Sequence, residues 1–121
     1  SLEELLINSN VVTLHIPETP ETTGLIGLDQ LVLMQSTSYL INTASAALVD
    51  EKALVEALQS KRIAGVALDV YETHPVVPNS PLLKLDNVVL TPHIGGATAE
   101  TINRYSQMIT RDLLKFARSQ R

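Results

Sequence analysis

The chain has 121 residues, 45% of them hydrophobic and 18% charged, with a formal net charge of −4 and no cysteine. That balance suits one folded unit with its own core and excludes a disordered tail. The mild acidity offers no basic surface for a phosphate backbone, and no apolar stretch approaches the roughly 20 residues that cross a bilayer, so neither nucleic acid nor membrane is expected as a partner. The absence of cysteine removes disulfides, thiolate nucleophiles and sulfur-ligated metals, and with no signal segment at the start the expected compartment is the cytoplasm.

The elements follow in chain order. Ser1 can cap a short helix through Ile7, with Glu3 and Glu4 in its first turn. Val11 to Ile16, closed by Pro17, reads as a buried strand, and the Thr-, Pro- and Glu-rich stretch from Glu18 to Thr23 as a loop. Leu28, Leu31 and Val32 repeat at helical spacing within a helix from Leu28 to Met34. Tyr39 to Thr43 is the next strand. Asp50 caps a helix whose apolar face holds Leu54, Ala57 and Leu58. Ile63 to Leu68 is the third strand and Val88 to Thr91 the fourth. Between them Pro75, Pro78 and Pro81 restrict the chain to loop, with room for one helical turn around Leu82 to Leu85. A long amphipathic helix begins near Thr98, with Ile102, Tyr105, Ile109, Leu113 and Phe116 along one stripe.

Apolar strands alternating with helical connections predict an α/β fold with a parallel sheet of about four strands covered on both faces. Right-handed crossovers put the C-terminal ends of the strands on one edge, gathering Pro17, Ala44, Asp69 and His93 at a common rim. No G-x-G-x-x-G follows a strand: Gly24 and Gly27 stand in a loop, and Gly95-Gly96 lack the remaining spacing. A phosphate cradle is therefore not expected within residues 1–121.

Four stretches together carry a family resemblance. They are Leu14-His15-Ile16-Pro17 with Thr19-Pro20-Glu21-Thr22, then Leu40 to Leu54 (LINTASAALVDEKAL), Gly65 to Pro75 (GVALDVYETHP) and Leu85 to Thr98 (LDNVVLTPHIGGAT). In this order and spacing the sequence resembles the D-isomer-specific 2-hydroxyacid dehydrogenases, the family of phosphoglycerate, D-lactate, glycerate and formate dehydrogenases. The match corresponds to the C-terminal half of the family's NAD-binding domain, without its substrate domain or glycine-rich first half, so the resemblance implies half of a doubly wound Rossmann-type sheet with flanking helices and a long C-terminal helix. The resemblance implies NAD as cofactor, with NADP left open, a small 2-hydroxy or 2-oxo acid as the substrate of a complete parent, and a homodimer.

It also implies roles for individual residues. In the family a histidine after Pro is the general acid or base, an arginine holds the substrate's carboxylate and carbonyl, and a glutamate hydrogen-bonds the histidine. His93 matches the first, and an imidazole with a pKa near ~6.5 can exchange a proton with a hydroxyl at neutral pH. The arginine position is Ser45, followed by Ala46 and Ala47 where Gly-Gly is common, and a hydroxyl cannot replace a cationic fork. The glutamate position is His74, which cannot supply an anion; Glu72, two residues away, would substitute only by turning inward. By the same resemblance Asp69 binds the nicotinamide carboxamide, Ile16 and Pro17 lie near the adenosine, Thr43, Ala44 and Ser45 near the nicotinamide ribose, and His93, Ile94, Gly95 and Gly96 beside the nicotinamide ring. No metal is expected, because His15, His74 and His93 fit no common ligand spacing. With Ser45 and His74 in place, the chain is expected to be inactive by itself, a dehydrogenase fragment or, alternatively, a non-catalytic binding or assembly module resembling the family's corepressor relatives.

Overall fold

A computed structural model describes residues 1–73 and 76–119. His74, the residue aligned with the family glutamate, lies outside the described residues.

The four expected strands form one parallel sheet in the order β1-β2-β3-β4: β1 is Val11–Leu14, β2 Tyr39–Asn42, β3 Gly65–Leu68 and β4 Val88–Leu90. Register aligns Leu14 with Asn42, Asn42 with Leu68, and Leu68 with Leu90, so all four chains leave the sheet at the same edge. Each strand is shorter than its apolar run. The strands end just before the rim residues His15, Thr43, Asp69 and Thr91, and β3 starts only at Gly65.

Helices α1 (Leu2–Asn8), α2 (Leu28–Leu33) and α3 (Glu51–Gln59) cover one face of this sheet. Ser1 and Glu4 form the reciprocal cap of α1, and Asp50 accepts the Ala53 amide at 3.0 Å to start α3. Leu6, Leu31, Leu54 and Leu58 drive into the core against Val12, Leu40 and Val66, each such burial contributing about 1.5–3 kcal/mol. The helical stripe expected for α2 is corrected. Leu31 is buried, but Leu28 and Val32 are about half exposed, and the helix docks instead through Leu31 and the following Met34. Three-residue spacing from Leu31 to Met34 brings both onto the inner side of so short an element.

The other face is bare within the described residues, which corrects the expectation of a sheet covered on both sides. Val11, Tyr39 and Val89 stand exposed there. The strand order explains this: it never reverses, so right-handed crossovers can place their helices on one side only. The long helix α4 (Ala99–Ser119) forms as expected, with the Thr98 hydroxyl accepting the Thr101 amide at 3.2 Å, yet none of its residues is buried. Its stripe of Ile102, Tyr105, Ile109, Leu113 and Phe116 is exposed throughout. A 3-10 turn at Pro81–Lys84, in the connection from β3 to β4 and slightly ahead of the expected position, buries Leu82 in the core. No helix among the described residues is long and apolar enough to cross a membrane.

Candidate active site

The rim is built one strand end at a time. After β1, the backbone carbonyl of Pro17 accepts the Thr22 hydroxyl at 2.9 Å, and Thr22 Oγ1 accepts the Thr19 amide at 2.8 Å, closing residues 17–23 into a compact loop. Ile16 and Pro17 remain on its exposed side. The same loop then runs beside the segment after β2, with the Gly24 amide on the Ala47 carbonyl at 2.7 Å and a single parallel bridge between Ile26 and Val49.

After β2, Asn42 shapes the turn that presents Thr43, Ala44 and Ser45. It is 1% exposed, and its side chain accepts the Ala44 amide at 3.1 Å while donating to the Ser45 carbonyl at 2.7 Å. A buried amide that is satisfied on both sides rigidifies its surroundings. Ser45 caps the short 3-10 helix Ala46–Leu48, and its hydroxyl donates to Glu18 Oε2 at 2.6 Å. The Ser45 hydroxyl is therefore already committed to a carboxylate.

After β3 comes Asp69, 5% exposed. Its Oδ1 accepts the Thr91 hydroxyl at 2.5 Å and the Ile94 amide at 3.0 Å, and its Oδ2 accepts the Gly95 amide at 2.8 Å. The Thr91 hydroxyl first, then the two amides and the neighbouring His93, hold this carboxyl below the usual carboxylate range against the opposing effect of burial. Three of about four lone-pair positions are used, which leaves one on Oδ2 for a further donor. Tyr71, next but one along the chain, donates its hydroxyl to the carbonyls of Leu68 at 2.9 Å and Thr91 at 2.8 Å, and burial pushes its phenol pKa up so that it stays a donor.

After β4, the Thr91-Pro92 pair turns sharply, and the His93 amide reaches back to the Thr91 carbonyl at 2.9 Å. His93 sits at φ +56°, a left-handed conformation that is uncommon for a residue with a side chain and that clusters at functional sites. It lines a cavity of about 390 Å³ together with Glu18, Ala44, Ser45, Ala46, Ala47, Val70, Tyr71 and Glu72. A second cavity, about 800 Å³ and mostly apolar, shares His93 and Tyr71 with the first and is lined further by Val76, Leu83, Leu90, Thr91 and Pro92.

The structure thus brings together Ala44, Ser45, Asp69 and His93, as expected from the strand ends, with Ile94 and Gly95 drawn onto Asp69. Glu72 lines the same cavity, and its charge also reaches Glu51 at the start of α3, whose carboxyl is raised first by burial and then by Glu72. Glu18, Asn42, Tyr71 and Thr91 escaped the sequence reading. The polar Asn42 at the end of an apolar strand was the available signal for one of them; Glu18 and Thr91 act across long separations that no local pattern displays. His15 stands apart, its ring nitrogen paired with the Thr13 hydroxyl at 2.9 Å.

Comparison with known proteins decides the ancestry of this rim. Residues 1–95 match the family model described as D-isomer specific 2-hydroxyacid dehydrogenase, NAD binding domain. The chain belongs to this family. It is 47% identical over 119 residues to a glyoxylate reductase of Korarchaeum cryptofilum, covering 98% of this chain and 36% of that protein. Among solved structures it is similar to a D-lactate dehydrogenase from Sporolactobacillus sp., with a TM-score of 0.88, 37% identity, and coverage of 100% of this chain and 40% of that one. It is also similar to the NAD-complexed D-isomer specific 2-hydroxyacid dehydrogenase of Lactobacillus delbrueckii ssp. bulgaricus, with a TM-score of 0.86, 36% identity, and coverage of 97% and 39%. The chain spans about a third of the length of the curated glyoxylate reductases it matches, 36% and 33% in two cases. The four-stranded sheet and its rim are therefore those of a nicotinamide-dependent oxidoreductase family.

Proposed function

We propose that residues 1–121 supply the nicotinamide side of the cofactor site in a protein that interconverts a D-2-hydroxy acid and its 2-oxo acid, with NAD or NADP as cofactor. The observation that carries this reading is the grip of Asp69 on the loop containing His93, which ties a buried carboxylate to the segment carrying an imidazole at the ligand-binding edge of a parallel sheet.

The residues present suit the group. Asp69 keeps one acceptor position for an amide donor, Thr43, Ala44 and Ser45 offer backbone groups on a turn made rigid by Asn42, and Ile94 to Gly96 lie beside the imidazole. Ile16 and Pro17 bound the same rim on the β1 side. The dinucleotide supplies the hydride acceptor or donor. What this chain contributes is a proton exchange, in which His93 takes the hydroxyl proton in the oxidative direction and returns it in the reductive one. No glycine-rich turn among these residues cradles the pyrophosphate, so binding is weak from this side alone.

Ser45 limits the chemistry. Where a guanidinium would bind and polarise the 2-oxo carboxylate, a serine donates to Glu18, and Glu72 adds a second acid to the cavity wall. Loss of one electrostatic donor at a reacting oxygen typically costs about 10²–10³ in rate, so turnover through this rim is very low. The homodimer belongs to the same proposal: the α4 stripe and the bare sheet face expose apolar side chains against which a second copy can pack. Titrating the ¹⁵N-labelled chain with nicotinamide mononucleotide tests the cofactor reading. Saturable shifts at Ala44, Asp69 and Gly95 are expected; shifts scattered elsewhere, or none at millimolar ligand, overturn it.

A further inference from the structure

β3 and β4 end level with one another, and the parallel ladder runs one residue further, the Thr91 amide donating to the Leu68 carbonyl at 3.0 Å. This sets the side chains of Asp69 and Thr91 next to each other at the mouth of the site. Pro92 has no amide to donate, and the amide of His93 folds back on Thr91. The donors that follow, Ile94 and Gly95, both go to Asp69. One carboxylate is therefore held from three points that bracket His93 on either side: the hydroxyl at position 91 before it, and the two amides after it. Gly95 is the residue that permits this approach, since a Cβ there would stand 3.0 Å from Asp69 Oδ2.

We propose that Thr91 is a positioning residue for His93, acting with Gly95 through the carboxylate of Asp69 to hold the imidazole in its left-handed loop conformation at the rim. Thr91 does not line the Ser45 cavity; its hydroxyl lies 2.5 Å from the acid and 3.5 Å from the Leu68 carbonyl, so the short bond to Asp69 is its link to the loop that follows His93. A left-handed residue persists only where its surroundings over-determine it, and the three donors to Asp69 together with the Tyr71 hydroxyl on the Thr91 carbonyl supply that constraint. Removing the hydroxyl leaves a buried carboxylate one donor short, and the loop must move to regain a partner. The consequence for proton transfer rests on the reading of His93 given above, but the geometry does not, so the test uses no cofactor and its failure is distinct from failure of that reading.

The experiment is carried out on the 121-residue chain by NMR, comparing Thr91→Val, Thr91→Ser and Gly95→Ala. Valine keeps the size of the side chain and loses only the donor; serine keeps the donor. Thr91→Val and Gly95→Ala are expected to shift the Ile94 and Gly95 amides and the His93 imidazole resonances, and to speed exchange of those amides by about tenfold, with α3 amides unchanged. Thr91→Ser is expected to retain the parent spectrum. If Thr91→Val prevents folding, Gly95→Ala alone carries the comparison. The proposal is overturned if Thr91→Val or Gly95→Ala folds and leaves His93 where it was, or if Thr91→Ser displaces the loop as far as Thr91→Val does.

Discussion

The hydroxyl of Ser45 donates to the carboxylate of Glu18 at 2.6 Å, joining the turn after β2 to the loop after β1 across the mouth of the site. The bond occupies the Ser45 hydroxyl with an acid, and the Glu18 carboxylate disfavours an anionic ligand at this point of the rim.

The first prediction follows from that pair. Ser45→Arg should create a binding site for a small 2-oxo acid such as glyoxylate, and Ser45→Arg with Glu18→Gln should bind it more tightly, because Glu18 otherwise competes for the new guanidinium. A hydrogen bond to a charged group is worth about 1.5–3 kcal/mol, which corresponds to roughly tenfold to a hundredfold in affinity. Titration followed at the Ala44 and Ala47 amides measures this; equal response in the parent chain and both variants would contradict it.

A second prediction concerns acid. The Asp69 carboxyl is lowered in the folded chain, chiefly by the Thr91 hydroxyl. A group depressed on folding stabilises the fold fully above its unfolded pKa of roughly 3.9, and that contribution is lost as pH falls through the folded value. Urea unfolding between neutral pH and strong acid should therefore show a loss of stability below the ordinary carboxylate range. Asp69→Asn should flatten this loss and, by weakening three charge-assisted bonds, should lower stability at neutral pH by about 1.5–3 kcal/mol.

The sequence made the α/β class, the four strands and the common rim legible because each rests on local pattern: apolar runs, a cap at Asp50, and the direction in which parallel strands end. It carried His93 and Asp69 through the motifs around them. Where the pattern misled, the cause was tertiary. Leu28 and Val32 share helical spacing with Leu31, but so short a helix buries only a narrow strip, and Met34 after its end takes the remaining space. The bare sheet face could not be read from apolar runs, because Val11 and Val89 are as apolar as buried residues and only the unreversed strand order reveals their exposure. The Asp69 to Thr91 and Ser45 to Glu18 pairings span more than twenty residues each and have no local signature.

Two backbone-level positions give a third prediction. An added Cβ at Gly65 would stand 2.7 Å from the carbonyl of Asn87, where neither strand can retreat without breaking the β3–β4 ladder. Gly65→Ala should lower stability by about 1–3 kcal/mol, as overpacking typically does. Asn42→Ala should cost a similar amount by stranding the Ala44 amide and Ser45 carbonyl that it satisfies. Thermal unfolding followed by circular dichroism reads both, and a melting temperature unchanged in either variant would contradict the corresponding assignment.

The fourth prediction is association. Ile109, Leu113 and Phe116 are each at least 60% exposed on a helix with no buried residue among the described ones. Sedimentation velocity should show self-association that rises with concentration, and Leu113→Glu with Phe116→Glu should reduce it. A clean monomer at high concentration would remove the proposed homodimer.

The account turns on Asp69 and His93 forming the nicotinamide side of a cofactor site, and the most direct measurement is the shift map of the labelled chain under nicotinamide mononucleotide, set beside the same titration of Asp69→Asn. Saturable changes centred on Ala44, Asp69 and Gly95 in the parent chain, weakened at least severalfold in Asp69→Asn, are the expected result. Equal binding by both chains, or changes confined to α4 and the bare sheet face, would contradict it.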